Sequence, residues 1–145
     1  VGTESSDASV RVARRNAADL GVEDRVNILL GDLLQPLAGM FFDLIVSNPP
    51  YIPSAEIERL EPEVSHFEPR AALDGGPDGF DYYRRLCSGS VSLLKPDSYL
   101  ALEVGQGEAG AVIELMEASG FVETRSLKDL AGIERVVIGK RSADR

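Results

Sequence analysis

The sequence predicts an α/β domain built on a mostly parallel sheet. Short apolar runs alternate with longer segments of helical spacing, which is the pattern of strand and helix in turn. The run Leu44, Ile45 and Val46 lacks polar alternation, as expected of a parallel strand covered on both faces. Glycine and proline clusters separate the segments. Ser6 or Asp7 can cap a first helix running to about Leu20, with Val10, Ala13, Ala17 and Leu20 near helical spacing and Gly21 as the stop. Val26 to Leu30 reads as a strand, Gln35 to Gly39 as a loop, and Asp43 to Ser47 as the next strand. The segment from Asn48 through Pro69 is too long for a tight connection, and long ordered loops are often functional. A helix is expected from about Phe80 to Leu94, stopped by Lys95-Pro96-Asp97. Then follow a strand at Ser98 to Val104, a helix at Glu108 to Ser119, and strands at Phe121 to Ser126 and Arg135 to Ile138. No repeat, low-complexity tract or internal boundary is evident, and 145 residues suit one domain, residues 1–145.

Composition narrows the function. Hydrophobic residues make up 43% of the chain, enough for a core. No apolar run approaches the ~20 residues that span a bilayer, and no secretory signal pattern opens the chain. The single cysteine, Cys87, excludes an internal disulfide and a multi-cysteine zinc site, and it lies on an apolar helix stripe that suggests packing. The expected compartment is the cytoplasm. A net charge of −9 disfavours direct binding to a phosphate backbone, which rests on clustered Lys and Arg. Arg11, Arg14 and Arg15 read as one solvated helix face. His66 stands alone and reads as a surface or packing residue, and no metal-ligand cluster is visible. Gly105-Gln106-Gly107 reads as a turn.

The strongest chemical signal is Ser47-Asn48-Pro49-Pro50-Tyr51 at the carboxyl end of a buried strand, where open α/β sheets bind ligands. A rigid proline turn is the plain structural reading. Yet Pro49 and Pro50 keep their carbonyl oxygens, and the Asn48 amide adds an acceptor. Two acceptors aimed at one spot can grip an NH2 group, and Tyr51 offers a flat face to stack on a planar amide or base. Such a set suits methylation of a planar amino group, with positioning as its main catalytic term.

Asn48-Pro49-Pro50-Tyr51 after such a strand resembles the signature of class I N-methyltransferases that act on planar amino groups of DNA, RNA or protein. The flanks narrow the resemblance. Val46 to Pro53, Phe67-Glu68-Pro69 with Ala72-Leu73, Asp74-Gly75-Gly76 with Asp78-Gly79, Tyr83-Arg84, Leu102 to Gly105, and Asp129 to Gly132 with Arg135-Val136-Val137 are similar to the release-factor glutamine methyltransferase family, PrmC/HemK. The resemblance spans essentially the whole chain. It implies a Rossmann-like sheet of order 3-2-1-4-5-7-6 with an antiparallel last strand. It also implies S-adenosylmethionine as cofactor, and methylation of the glutamine amide of a Gly-Gly-Gln motif in peptide-chain release factors. Asn48, Pro49 and Tyr51 are then the implied catalytic residues, and Asn48, Pro49, Pro50 and Tyr51 hold the substrate. Glu4 falls where the family places an acid on the ribose hydroxyls, and Asp32 and Leu33 fall near the adenine. Asn48 borders the cofactor as well. The plain structural reading of Glu4 is a helix-entry acid, which the cofactor role outweighs, and Asp32 could equally be a turn residue.

The glycine-rich loop and first strand of that family should precede Glu4, so the sequence reads as a truncated catalytic domain, without the family's helical substrate-binding domain. Three expectations follow for the first segment: that it closes the gap in the sheet, that another copy fills the gap in a strand-exchanged homodimer, or that the segment is lost. Strands four to seven are expected to stay native-like, and the chain to be inactive alone. Two competing readings are a nucleic-acid amino-group methyltransferase, and a catalytically incompetent fragment or binding module.

Overall fold

A computed structural model describes residues 1–61, 63 and 67–143, so the reading of His66 lies outside the described residues. The chain divides into two compact units, Val1–Met40 and Phe41–Arg145.

The first unit holds strand β1 (Gly2–Glu4), helix α1 (Asp7–Asp19) and strand β2 (Ile28–Leu30). Ser6 caps α1, its side chain accepting from the Ser9 N–H, and Gly21 follows the helix at φ 64, where a side chain would be strained. Val10 and Ala17, two of the four stripe positions, are buried, whereas Leu20 is exposed. β1 and β2 pair in parallel, Gly2 beside Ile28 and Glu4 beside Leu30. Arg14 reinforces the pair by donating to the Ile28 carbonyl at 2.7 Å. The expected strand at Val26 to Leu30 is thus shorter, because Val26 N–H is taken by the Val22 carbonyl in the preceding turn. The loop expected at Gln35 to Gly39 contains a 3-10 turn at Gln35–Leu37 that starts around Pro36 and buries Leu37.

The second unit holds β3 (Phe42–Ser47), α2 (Asp81–Ser90), β4 (Leu94–Glu103), α3 (Ala109–Ala118), β5 (Phe121–Lys128) and β6 (Glu134–Arg141). Its four-stranded sheet has the order β3-β4-β6-β5. β3 runs parallel to β4, and β6 lies antiparallel to both β4 and β5. Within each unit the strand order matches part of the order implied by the resemblance: β1-β2 its 3-2 part, and β3-β4-β6-β5 its 4-5-7-6 part. Gly2–Glu4 forms a strand, so the first segment is not lost, and the later strands pair in the expected order.

Two expectations are corrected. Lys95-Pro96-Asp97 does not end a helix at Leu94. The helix stops at Ser90, and β4 already begins at Leu94, which pairs with Phe42. The next pair is Leu44 with Tyr99, so the register shifts across Pro96, with Asp97 at φ 62. A bulge of this kind absorbs a proline that cannot donate to the ladder. Lys95 and Lys140 hold the region with ion pairs to Asp43 and Asp97, each at 2.8 Å. The second correction concerns β3. Ile45 is buried, but Leu44 and Val46 are 54% and 69% exposed. Direct partners across the sheet show why: Ile45 aligns with Leu100, and Leu102 with Val137, all on the face that packs under α2 and α3. Within the second unit, among the described residues, nothing buries the opposite face at Leu44 and Val46.

Candidate active site

The Asn48-Pro49-Pro50-Tyr51 turn leaves the carboxyl end of β3, beside the carboxyl end of β4, since Ser47 aligns with Leu102. Pro49 is buried, Pro50 and Tyr51 are half-buried, and Asn48 is exposed. Two prolines in sequence fix φ through the turn. Among the described residues no hydrogen bond engages the Asn48 side chain or the Pro49 carbonyl. The turn thus ends in an exposed amide and an unspent carbonyl acceptor.

The backbone after the turn is laced to the segment around Asp74. Ile52 N–H donates to the Leu73 carbonyl at 3.0 Å, and Gly75 N–H to the Ile52 carbonyl at 2.9 Å. Ser54 N–H donates to the Gly76 carbonyl at 2.9 Å. Two glycines permit this approach. A Cβ on Gly75 would lie 2.8 Å from Tyr51 Cα, and one on Gly79 would lie 2.5 Å from the Tyr51 carbonyl oxygen. Asp81 N–H donates to the Gly75 carbonyl at 3.0 Å, which ties the start of α2 to the same turn.

Behind the strand ends lies a network that sequence reasoning missed. Tyr83, fully buried on α2, donates its hydroxyl to Glu108 Oε2 at 3.0 Å. Gly105 N–H donates to Glu108 Oε2 at 3.0 Å and to the Tyr83 oxygen at 3.3 Å. Burial, then the Glu108 carboxylate, hold the Tyr83 hydroxyl far above the usual phenol range, with a smaller push from Tyr51. Tyr83 therefore stays a neutral donor. The sequence carried one signal for it, since a buried tyrosine needs a partner for its hydroxyl. Gly105 follows β4 in a turn, as expected. Cys87 is fully buried, and burial pushes its thiol up to about 12, which agrees with a packing role.

A shallow basin is lined by Ser54, Asp74, Gly76, Asp81, Tyr82, Arg84 and Arg85. Neither Asn48 nor Tyr51 lines it. Its charges are already engaged: Arg84 pairs with Asp78 and Asp81, and Arg85 lies over the Tyr82 ring at 5.6 Å. The turn, by contrast, presents unspent polar groups.

The remaining sequence-predicted residues lie in the first unit. Glu4 ends β1 and is half-buried, and its Oε1 accepts from the Ser6 N–H at 2.8 Å. Gly31 N–H donates to the Glu4 carbonyl at 2.9 Å, extending the parallel pair. Asp32 and Leu33 follow directly, so all three residues gather at the carboxyl ends of two adjacent strands. Leu33 has φ 48, a left-handed conformation uncommon for a non-glycine residue and one that clusters at ligand sites. Among the described residues no group of three or more His, Cys, Asp or Glu could hold a metal ion, and no helix is long and apolar enough to cross a membrane.

Residues 1–61 match the family model described as "Methyltransferase small domain". The chain is 46% identical, over 97% of its length and 49% of the relative's, to a release factor glutamine methyltransferase from Geobacter sulfurreducens. It is 50% identical, over 99% of its length and 44% of the relative's, to a protein of that name from Rhodospirillum rubrum. The chain thus spans about half the length of these curated relatives. A solved structure described as the release factor-specific protein-(glutamine-N5) methyltransferase of Alicyclobacillus acidocaldarius matches at 25% identity and TM-score 0.51, over 97% of this chain and 78% of that one. The resemblance read from the sequence is borne out, and the fold is that of a class I methyltransferase.

Proposed function

We propose that this chain, homologous to about half of a release factor glutamine methyltransferase, carries catalytic machinery for methylating the side-chain amide nitrogen of a glutamine in a release factor. The observation that carries the reading is the turn after β3. It combines an exposed Asn48 amide, a Pro49 carbonyl with no partner among the described residues, and a Tyr51 whose backbone is fixed by Gly75 and Gly79. An amide nitrogen is a weak nucleophile because its lone pair is delocalised. Asn48 Oδ1 and the Pro49 carbonyl accept its two hydrogens, Pro50 keeps the turn rigid, and the Tyr51 ring stacks on the amide plane. Orientation is then the main contribution to rate.

The residues of the first unit fit part of S-adenosylmethionine. Glu4 has one oxygen on the Ser6 N–H, and its Oε2 has no partner among the described residues. That oxygen can accept from ribose hydroxyls, a charge-assisted arrangement. Asp32 would take the adenine amino group and Leu33 the ring face. When bound, the cofactor supplies an electrophilic methyl on a sulfonium sulfur. A protein of this kind, with one buried thiol and a release factor as substrate, works in the cytoplasm.

The test is to incubate intact enzyme carrying these residues and methyl-labelled S-adenosylmethionine with release factor, DNA and RNA in parallel. Label is expected on the release-factor glutamine. Label on nucleic acid alone would favour the competing amino-group reading, and no label anywhere would favour a non-catalytic module.

A further inference from the structure

We infer that Asp74 is a positioning residue for this reaction, acting through the turn that carries Asn48 and Tyr51. The inference rests on the function proposed above. Asp74 stands at a junction. Its Oδ1 accepts from Ser54 Oγ at 2.5 Å and from the Gly76 N–H at 3.0 Å. Its Oδ2 accepts from Arg70 Nε at 3.2 Å, and Asp74 itself forms a parallel bridge with Ile52. Ser54, three residues past Tyr51, is therefore held from two sides, by its hydroxyl on Asp74 and by its N–H on the Gly76 carbonyl.

The consequence reaches Tyr51 through geometry. The Gly75 and Gly79 backbones press on Tyr51 Cα and its carbonyl with no room for a side chain. Asp74 ties to both glycines: Gly76 hangs from its carboxylate and accepts from the Gly79 N–H at 3.3 Å, while Gly75 N–H donates to the carbonyl of Ile52, the bridge partner of Asp74. The Asp74 side chain is 25% exposed, so it is not a core packing group. The Ser54 hydroxyl, then the Gly76 N–H, hold its carboxyl below the usual carboxylate range, and it accepts as an anion at neutral pH. Loss of this clasp lets the end of the turn drift while the apolar core of the second unit stays intact. A misplacement of about 1 Å near reacting groups can cost up to about a hundredfold in rate.

Four variants of the intact enzyme test this: Asp74→Ala, Asp74→Asn, Ser54→Ala and Asn48→Ala. Each is assayed for kcat and for KM of S-adenosylmethionine, below its own thermal midpoint. Asp74→Ala is expected to lower kcat by about 10- to 100-fold with little change in that KM. Asp74→Asn keeps an acceptor for Gly76 N–H and a partner for Ser54, so it is expected to recover most of the rate. Ser54→Ala removes only the 2.5 Å bond and is expected to lose less than Asp74→Ala. If Asn48→Ala is inactive while Asp74→Ala turns over normally, the positioning role is overturned and the proposed function stands. If both turn over normally, the proposed function itself falls. Should Asp74→Ala fail to fold, Ser54→Ala decides: a lowered kcat at unchanged KM supports the clasp, and an unchanged kcat overturns it.

Discussion

The two units place their candidate residues in opposite ways. In the second, the Asn48 to Tyr51 turn is fixed by backbone hydrogen bonds, two prolines and two glycines that leave no space. In the first, Glu4 and Asp32 stand at the ends of two three-residue strands with one helix beside them. A two-stranded sheet is marginal by itself. The contrast fits the tasks proposed for each. Aligning a poor nucleophile demands a rigid frame, whereas gripping hydroxyls demands a charged acceptor within reach and tolerates more play.

The largest expected effect lies on the rigid side. Asn48→Ala should lower kcat by on the order of a hundredfold or more, the typical loss for one oriented polar group at a reacting centre. Asn48→Asp should fail as well, since it adds a charge without restoring the amide geometry. Methyl transfer to release factor measures both, and near-normal turnover in Asn48→Ala would break the comparison. On the other side, Glu4→Gln should raise the KM for S-adenosylmethionine by about tenfold, within the ~1.5–3 kcal/mol of a hydrogen bond to a charged group, and leave kcat nearly unchanged. A variant that lowered kcat and spared KM would show that the first unit also orients.

The smallest effect is a dependence on acid. Arg84 and the Phe80 N–H hold the Asp78 carboxyl at about 2, below the usual carboxylate range. A depressed carboxyl contributes stability above its unfolded pKa, and that contribution is lost as the pH falls through its folded pKa. The loss should fall between about pH 4 and about pH 2. Asp78→Asn should therefore flatten thermal midpoints against pH in that window and change little at neutrality. The pair is exposed to solvent, so high salt should shrink the difference.

Much of this was legible in the sequence where local chemistry decides. Ser6 and Gly21 marked the ends of α1, and Asn48 to Tyr51 marked the end of β3. Reading failed where distant partners overrule local signals. Pro96 looked like a break, yet pairing with β3 carries the strand past it through a shifted register. Leu44 and Val46 looked buried, but burial depends on what packs over them, which a run of apolar letters does not say. The Tyr83–Glu108 bond spans 25 positions, and Ser54 meets Asp74 across 20. Neither spacing is periodic, so no repeat in the sequence announces them.

The placement of β6 has a consequence for the order in which the protein can assemble. β6 follows β5 in the chain yet stands between β4 and β5 in the sheet. A ribosome that has delivered residues 121–128 has made a strand with no partner but water. Only when residues 134–141 emerge can the last two strands close as a hairpin and then dock on β4 as one piece. Contacts of long sequence separation form late and slowly. The nascent chain thus waits for β6, with the row of backbone groups on β4 that β6 will occupy standing open to other strands until it arrives.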